Sequence, residues 1–547
     1  MRKVVLFLLV FALSVSAFSA FASAEQTDNG ASVSYGDVDA SGKINLADAS
    51  ALLKYIANWD VNIVADAADV TANGRVNLGD VSRILQYVAK WDVLLGPKDE
   101  ITDPGNSDRE FVEADFNEAE FRILYSSGAA ADYGDRYIWA EEFTSEVIND
   151  AVLERNRQVE AKYNVKIVAE DCYDPTYDAK IRIQAGQCDF NVIYDRGTQM
   201  KSLALWGCFY DFRELDYVNL EESYWLPKAN RDLVLADRLY IATNTVSMNF
   251  LAHSDILYFN KSIMDELSFA YPYDYVDSDT WTYDVVIDMV MAAEKDVNKD
   301  GVLTNKDRFG GISGDVLLRG VCSAPLVEEN GDGGYTFIPF TEKMVDQYNK
   351  YKSKLDCVEN LTEDQIIEGK DISQFPSKSA AARFLSFGEG HTLFMQGNLE
   401  MTKEFVDMKD DYGIVPMPVV NAGDEYVAIA DCSAPMFAIP LSVYDPEMTG
   451  IVFEYLAYES EYYLMPFYYE TTIKTKRMQD TRDYHMLEII RDSVRYNWTD
   501  LYMWDSDIAW FRDRILSYGT FVSTAKQYGA KIQGDINDII NKIKSFR

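Results

Sequence analysis

The sequence predicts a multidomain protein in which a small all-α unit, built from two calcium-loop and helix repeats, precedes a large α/β domain. The first observation is a duplication: Gly36–Val61 recurs as Ala68–Val93, and 14 of the 26 aligned residues are identical. Two similar copies of so short a segment indicate one supersecondary unit that is used twice. The second observation is an alternation of short apolar strands and helical stretches from about residue 117, which is typical of βαβ units.

Residues 1–24 have the pattern of a secretory signal. Arg2 and Lys3 precede an apolar run at 4–13, and small residues at 22–24 form a cleavage site. The run is too short for a retained membrane helix, and no cysteine before Cys172 offers a site for lipid attachment. We therefore expect a secreted, extracellular protein whose mature chain has no membrane span.

Each repeat begins with oxygen-bearing side chains at alternate positions of a tight loop. Calcium binds six to eight oxygens, which such a loop supplies from positions 1, 3, 5, 9 and 12 and from the carbonyl of position 7. Gly42 and Gly74 stand at position 6, where the loop turns sharply. The predicted calcium ligands are Asp37, Asp39, Ser41, Lys43 (carbonyl), Asn45 and Asp48 in the first loop, and Asp69, Thr71, Asn73, Arg75 (carbonyl), Asn77 and Asp80 in the second.

A helix follows each loop, with an apolar stripe at i, i+3, i+4, i+7 spacing. The stripes consist of Ala49, Leu52, Leu53 and Ile56 in the first helix and Val81, Ile84, Leu85 and Val88 in the second. Neither short helix can bury its stripe alone, so we expect the two stripes to pack face to face.

Two features separate these loops from ordinary EF-hands, since position 12 is aspartate and no amphipathic helix enters either loop. With them, residues 35–93 resemble a type I dockerin. The resemblance implies a calcium-dependent module that binds a cohesin on a scaffold protein, as in a cellulosome-like assembly. The pairs that would steer the choice of cohesin are Leu46-Ala47 and Leu78-Gly79. A calcium-stapled spacer without a partner is the alternative.

Residues 94–116 form a predicted linker, because Pro97, Pro104 and Gly105 interrupt an acidic run without apolar periodicity. The formal net charge of −38 disfavours nucleic acid and anionic lipid as partners. The six cysteines match no zinc spacing. Cys322 and Cys357 could form a disulfide, and mostly buried thiols are the alternative.

The large domain, 117–547, opens with a βαβαβ pattern. The expected strands are 121–125, 165–169 and 190–194, and the expected helices are 145–163 and 177–184. Ligands of such sheets bind beyond the carboxyl ends of the strands. Residues 127–131 lack the spacing of a glycine-rich phosphate loop, so we expect no dinucleotide cofactor.

Five further segments carry a second resemblance, and they are 146–166, Leu257–Lys261, Thr280–Thr282, 387–395 and Tyr412–Pro418. Together, over about 118–545, they resemble extracellular solute-binding proteins of the sugar ABC-importer type. The resemblance implies a periplasmic-binding-protein-like domain of two α/β lobes with a ligand in the cleft between them, and an ABC transporter that could receive the ligand. This chain carries a dockerin-like segment where the family normally has a lipid anchor, which favours a receptor displayed on a scaffold.

A third calcium-type loop is predicted inside the large domain, with a helix at 283–295 entering it and Gly301 at position 6. Its ligands would be Asp296, Asn298, Asp300, Val302 (carbonyl), Thr304 and Asp307. We expect a structural role for it. A polar surface loop with chance acidic spacing is the alternative.

Sugar binding requires aromatic faces for the apolar side of a ring, and carboxylates, amides or arginine for its hydroxyls. Candidates follow predicted strands or lie in the aromatic-rich final third, and they are Tyr137, Trp139, Asp195, Arg196, Asn244, Asp431, Trp504 and Trp510. For each of the aromatic candidates, packing in the core is the alternative.

Three functions are consistent with these patterns. The first is a secreted, non-catalytic receptor for an oligosaccharide, tethered through the dockerin-like segment. The second is a glycoside hydrolase, because 89 acidic residues always leave some suitable pair of carboxylates. The third is an adaptor whose solute-binding fold has lost its ligand. The chain has neither an HExxH zinc motif nor a GxSxG nucleophile elbow, and with the second resemblance this favours the first function.

Overall fold

The structure is a computed structural model of the chain. It describes residues 35–56, 59, 61–70, 76, 80, 81, 83, 84, 87, 95, 111–126, 137–144, 146–311, 326–331, 333–355, 361–375, 377–474 and 481–546. The predicted signal at 1–24 lies outside these ranges. The chain divides into two compact units, 1–110 and 111–547.

The small unit has a core to which both repeats contribute. Helix α1, Leu46–Ile56, follows the first loop, and a short helix α2, Ala65–Ala68, precedes the second. One apolar cluster takes equivalent positions from each repeat, pairing Val38 with Val70, Ala49 with Val81, and Leu52 with Ile84. The predicted packing of the two stripes is confirmed for Ala49, Leu52, Val81 and Ile84. The described residues do not include the side chains of Leu53, Leu85 and Val88.

The strands of the large unit are short and mostly buried. They are β1 Ala119–Tyr125, β2 Val165–Asp171, β3 Val192–Arg196, β4 Ile256–Asn260, β5 Val327–Glu329, β6 Tyr335–Phe337, β7 Phe394–Gly397, β8 Tyr412–Pro416, β9 Ala428–Ile429, β10 Pro435–Ala438 and β11 Val494–Arg495.

The helices of the large unit surround these strands. They are α3 Val147–Tyr163, α4 Pro175–Ala185, α5 Gly197–Ala204, α6 Pro227–Leu233, α7 Asn249–Ala252, α8 Lys261–Leu267, α9 Pro272–Asp277, α10 Tyr283–Ala293, α11 Glu342–Leu355, α12 Glu363–Ile367, α13 Lys378–Arg383, α14 Pro446–Glu459, α15 Met465–Lys474, α16 Thr481–Asp492, α17 Trp498–Tyr502, α18 Asp507–Tyr518 and α19 Phe521–Lys544. Among the described residues, no helix combines the length and the apolar character that a membrane crossing needs.

Sheet one has the strand order β10-β3-β1-β2. β1 pairs in parallel with β2 and β3, whereas β10 runs antiparallel along the free edge of β3. Phe121, Ile123 and Leu124 of β1 point to both faces of the sheet and are fully buried, because helices cover the sheet. The predicted βαβαβ opening is therefore confirmed, with helix bounds that differ from the prediction by a few residues.

Sheet two consists of β7-β4-β8, with both outer strands antiparallel to β4. The buried Trp281 lies beside it, and its indole N–H donates a hydrogen bond to the carbonyl of Pro416 at 3.0 Å. The next residue, Thr282, caps α10 by accepting a hydrogen bond from the backbone N–H of Val285. Four of the five segments that carry the second resemblance thus lie at sheet two, whereas 146–166 forms α3 and the start of β2 in lobe one.

The chain passes between the two sheets more than once, which makes two lobes. It leaves sheet one after β3, builds sheet two, and returns to sheet one at β10. Helix α14 then packs on α3 of lobe one, while α16 packs on β8 of lobe two. The short parallel pair of β9 and β11 joins two of the passages. This is the two-lobed α/β arrangement that was expected.

The large unit begins earlier than the predicted boundary at 117. The ring of Phe111 lies 4.9 Å from that of Tyr455, and the N–H of Phe116 donates to the carbonyl of Tyr163. The side chain of Glu113 accepts from Lys162 at 2.6 Å. Residues 111–116 of the predicted linker are therefore part of the domain, since aromatic packing at 111 and 116 fixes them on α3 and α14.

Four described cysteines are free thiols, and they are Cys172, Cys188, Cys208 and Cys432. Burial, together with nearby carboxylates such as Asp178, raises the pKa of Cys172 to about 12. Burial also raises the pKa values of the other three thiols. The predicted pair of Cys322 and Cys357 lies outside the described residues.

A fully buried arginine joins four segments of lobe one. The guanidinium of Arg155, on α3, donates to the carbonyls of Val246 at 3.1 Å and Ile138 at 3.3 Å. It also donates to the hydroxyl of Ser460 at 3.2 Å, just beyond the end of α14. Burial lowers the pKa of Arg155, and the carboxylate of Glu459 opposes that shift, so the charge has a partner.

We expect Arg155→Ala to lower the free energy of unfolding of the large unit by about 3–5 kcal/mol, because it leaves buried carbonyls without their donor and the carboxylate of Glu459 without its nearby positive charge. Chemical denaturation measures this change. Arg157→Ala is the matched control, since Arg157 is exposed on the same helix and only covers the ring of Phe143. A loss at Arg155 no larger than at Arg157 would contradict the role assigned to the buried charge.

Candidate functional site

The first loop of the small unit gathers its acidic side chains. Carboxylate oxygens of Asp37, Asp39 and Asp48 lie within 4.8 Å of one another. Gly42 has a φ of 76°, as the sharp turn at position 6 requires. Three carboxylates at this spacing are hard oxygen ligands, which is the donor set that calcium prefers.

Backbone hydrogen bonds hold these carboxylates in place. Asp37 accepts from the N–H groups of Ser41 and Gly42, each at 2.8 Å. Asp48 accepts from the N–H of Asn45 at 2.8 Å and from that of Asp39 at 3.1 Å. Burial raises the pKa of Asp48, and these two N–H donors oppose the shift. The hydrogen bond between Asp48 at position 12 and Asp39 at position 3 thus closes the loop.

The second loop, 69–80, is described only at 69, 70, 76 and 80. Asp69 is half-buried and Asp80 is fully buried, as is its counterpart Asp48. The remaining predicted ligands lie outside the described residues, and they are Thr71, Asn73, Arg75 and Asn77.

The third predicted loop, 296–307, has the same hydrogen-bond skeleton as the first. Gly301 has a φ of 83°, and its N–H donates to Asp296 at 2.8 Å, which repeats the bond from position 6 to position 1. The N–H of Thr304 donates to Asp307 at 2.8 Å, which repeats the bond from position 9 to position 12. Although burial opposes it, the hydrogen bonds from Thr304 and Val297 lower the pKa of Asp307. Among the described residues, however, only the first loop brings three carboxylates within 4.8 Å.

The carboxyl ends of the strands in sheet one present a second group of polar side chains. Asp195, in β3, accepts hydrogen bonds from the N–H of Thr176 at 3.1 Å and from its hydroxyl at 2.6 Å. It also accepts from the N–H of Arg196 at 2.8 Å. Burial raises the pKa of Asp195, and these hydrogen bonds oppose the shift. Asp195 therefore links the end of β3 to the start of α4.

Two exposed tyrosines flank this group, and the sequence reasoning missed both. Tyr173 follows β2 and is 88% exposed, and Tyr177 lies in the first turn of α4 and is 60% exposed. Thr176, the partner of Asp195, lies between them in the chain. The signal that could have identified them is their place at the end of a predicted strand, which is the criterion that selected Asp195.

Two other predicted residues lie near the end of β3. Pro435 of β10 pairs with Arg196, and the loop before β10 carries the exposed Asp431. A side-chain oxygen of Asp431 accepts from the N–H of Ser433 at 2.7 Å. The pairing of β3 with β10 therefore brings these parts of the chain together.

Asn244 is also a predicted ligand residue, but it is fully buried in the segment before α7. Its side-chain oxygen accepts from the N–H of Val246 at 3.1 Å, and its Nδ2 makes no hydrogen bond with the described residues.

The four predicted aromatic ligands lie in different environments. Tyr137 is 1% exposed and its ring packs edge to face on Tyr468 at 6.0 Å, so in this conformation it belongs to the core. Trp139 is exposed beside it. Trp504 and Trp510 are 54% and 58% exposed, before and within α18. None of these four is joined to Asp195 by a described contact.

A cavity of about 500 Å³ lies apart from all the predicted residues. Its walls come from α6 and the turn that follows it, from the hairpin of β5 and β6, and from the residues after β11. Sequence reasoning missed it because segments that are far apart in the chain form it.

Comparison with known proteins addresses the small unit first. Residues 35–89 match the family model of the dockerin type I domain. This confirms the resemblance predicted from the duplicated loops. The dockerin segment covers about a tenth of the chain, so the match describes the small unit and not the large one.

The large unit is similar to several solved structures at low identity. Apo RafE from Streptococcus pneumoniae is 14% identical, with 78% of this chain and 98% of that chain covered and a TM-score of 0.44. A periplasmic oligogalacturonide binding protein from Yersinia enterocolitica is 14% identical, with 77% and 100% covered and a TM-score of 0.47. A de novo designed esterase is 14% identical, with 77% and 100% covered and a TM-score of 0.49. These values carry no conclusion about ligand or activity.

No curated protein sequence matches this chain.

We expect the second loop of the dockerin segment to bind calcium more weakly than the first, because it offers two carboxylates (Asp69 and Asp80) where the first offers three. Calcium titration of the Asp48→Ala variant measures the affinity of the second loop, and titration of the Asp80→Ala variant measures that of the first. Both variants should also carry Asp307→Ala, which removes the third loop from the titration. Equal residual affinities would contradict the expectation.

Proposed function

We propose that this protein is a secreted, non-catalytic receptor that binds an oligosaccharide at the carboxyl edge of sheet one, while its dockerin segment tethers it to a cohesin on a scaffold. The observation that carries the proposal is the pair of exposed tyrosines, Tyr173 and Tyr177, which precede and follow in the chain the hydrogen-bond partner of Asp195, Thr176. The tether rests on the match of residues 35–89 to dockerin type I domains.

The physical chemistry of this edge suits a sugar. A tyrosine ring that faces solvent can cover the apolar face of a sugar ring, and its hydroxyl can bond a sugar hydroxyl. Arg196 and Asp431 add a donor and an acceptor near the end of β3, and both signs of charge suit a neutral ligand with many hydroxyls. The edge lies where open α/β sheets bind their ligands.

A receptor and a hydrolase would use Asp195 differently. Three hydrogen bonds from Thr176 and Arg196 already occupy this carboxylate, and it is 4% exposed. A glycosidase instead needs two carboxyl groups that face the sugar across a few ångströms. These bonds support a binding role, and a glycoside hydrolase remains the second candidate because dockerins are often joined to such enzymes.

We expect plant-derived oligosaccharides to bind the full chain without being cleaved. Calorimetry measures the binding, and a reducing-sugar assay on the same samples measures the product. Tyr173→Ala should weaken binding by about tenfold or more, because a stacked aromatic face is lost. Tyr444→Ala is the matched control, since Tyr444 is 93% exposed but follows β10 at the opposite edge of the sheet.

The outcomes separate the hypotheses. Product that grows with protein concentration and survives repurification would replace the receptor with an enzyme. If no oligosaccharide in the panel binds, the third hypothesis is supported, which is an adaptor whose solute-binding fold has lost its ligand. Equal losses for Tyr173→Ala and Tyr444→Ala would move the ligand away from this edge.

We also propose that calcium stabilises both units, through the dockerin loops and through the loop 296–307. In the first loop the acidic cluster supports this, and in the third the shared hydrogen-bond skeleton supports it. Ca²⁺ at 296–307 would be structural, because the loop follows α10 and lies between Lys295 and Arg308, which pair with each other like residues of neighbouring strands. The same pairing holds the two ends of the loop together.

We expect a chelator to unfold the dockerin segment and to leave the large unit folded, with a modest fall in its melting temperature. Metal binding supplies most of the folding free energy of a unit so small, whereas the large unit has its own extensive core. Calorimetric melting with and without EGTA measures both transitions.

Two results bear on this expectation. In Asp307→Ala the melting temperature of the large unit should no longer depend on calcium. A single transition that moves as a whole with chelator would contradict the independence of the two units.

A further inference from the structure

The cavity behind α6 has the properties of a binding site that the sequence reasoning did not include. Its volume of about 500 Å³ is within the range of small-molecule sites. It shares no residue with the edge at Asp195, so what it binds is independent of the function proposed above. Tertiary contacts hold its walls, and two polar side chains in them, Trp498 and Glu329, make no hydrogen bond with the described residues.

Two contacts hold the walls of the cavity in place. The guanidinium of Arg495 donates to Asp232 at 2.8 Å, which fastens α6 to the passage at β11. The hydroxyl of Tyr335 accepts from the N–H of Ala236 at 3.1 Å, which fastens the β5–β6 hairpin to the turn after α6. The two side walls are therefore held to the same helix.

The turn after α6 has a costly backbone. Ala236 and Asp237 have φ values of 50° and 58°, a left-handed region that residues other than glycine and asparagine avoid. Two mutual hydrogen bonds between Leu235 and Arg238 close this turn. The conformation places Asp237 on the wall of the cavity, and strained backbone of this kind accumulates at functional sites.

An aromatic wall faces these polar groups. The ring of Trp498 is half-buried and meets that of Tyr335 edge to face, with 5.6 Å between the ring centroids. The indole N–H of Trp498 makes no hydrogen bond with the described residues, so a ligand can accept from it. Glu329 lies on the same hairpin, and its carboxylate likewise bonds to nothing in the described part of the chain.

The charges in the wall select the class of ligand. Arg213 and Arg231 line the cavity together with four acidic residues, of which Asp232 is already paired with Arg495. Carboxylates therefore outnumber guanidinium groups in the wall, which disfavours an anion. An aromatic face, carboxylate acceptors and N–H donors from the indole and the arginines are the groups that recognise a ring with several hydroxyls.

We propose that this cavity is a second ligand site, which binds a neutral sugar of one or two rings through the face and the indole N–H of Trp498 and through the carboxylates of Glu329 and Asp237.

The test uses the full chain with calcium, carrying Tyr173→Ala to weaken the edge site, and the probes cellobiose, maltose and xylobiose. Equilibrium dialysis and saturation-transfer NMR measure binding. At least one disaccharide should bind, and glucuronic acid should bind at least tenfold more weakly. Glu329→Gln should weaken the disaccharide about tenfold, because a charged acceptor becomes a neutral amide.

Glu328→Gln is the matched control. Successive residues of a strand point to opposite faces, and Glu328 does not line the cavity. Trp498→Ala should abolish binding, and circular dichroism shows whether this variant is folded. The proposal is overturned if no disaccharide binds, or if Glu329→Gln and Glu328→Gln bind equally well.

Discussion

The buried guanidinium of Arg155 is the constraint on which lobe one depends. It is the only group among the described contacts that bonds α3, the segment before α7, the end of α14 and residue 138 at once. A charge without water must have all its donors occupied, so these segments can move only as one body. Sheet one lies on the same helix, and the ends of its strands therefore keep a fixed geometry at the proposed sugar edge.

Local patterns were sufficient to predict most of the framework. The duplicated loops, the strands of sheet one and the segment at Trp281 each depend on neighbours in the sequence, such as a cap, a periodic stripe or a turn glycine. The side chains that line the sites were harder to predict. Tyr137 follows a predicted strand but is buried against Tyr468, whereas Tyr173 also follows a predicted strand and is exposed. Burial depends on which distant helix covers a residue, and periodicity carries no such information.

The cavity behind α6 illustrates the same limit. Residues near 232, 335 and 498 are far apart in the chain, and no motif connects them. Their meeting depends on the Arg495–Asp232 pair and on a hydrogen bond from a strained turn, which are tertiary contacts. A site of this kind can be found only after the passages between the lobes are known, because those passages supply its walls.

The free thiols of lobe one have a consequence for the secreted protein that we propose. Burial and neighbouring carboxylates keep Cys172 protonated at neutral pH, and the thiolate is the form that reacts with oxidants. Cys432 is fully buried in the passage before β10. In an oxidising medium these four thiols would therefore react slowly without any disulfide among them, and alkylation of a given thiol would record the moment at which its part of the lobe opens.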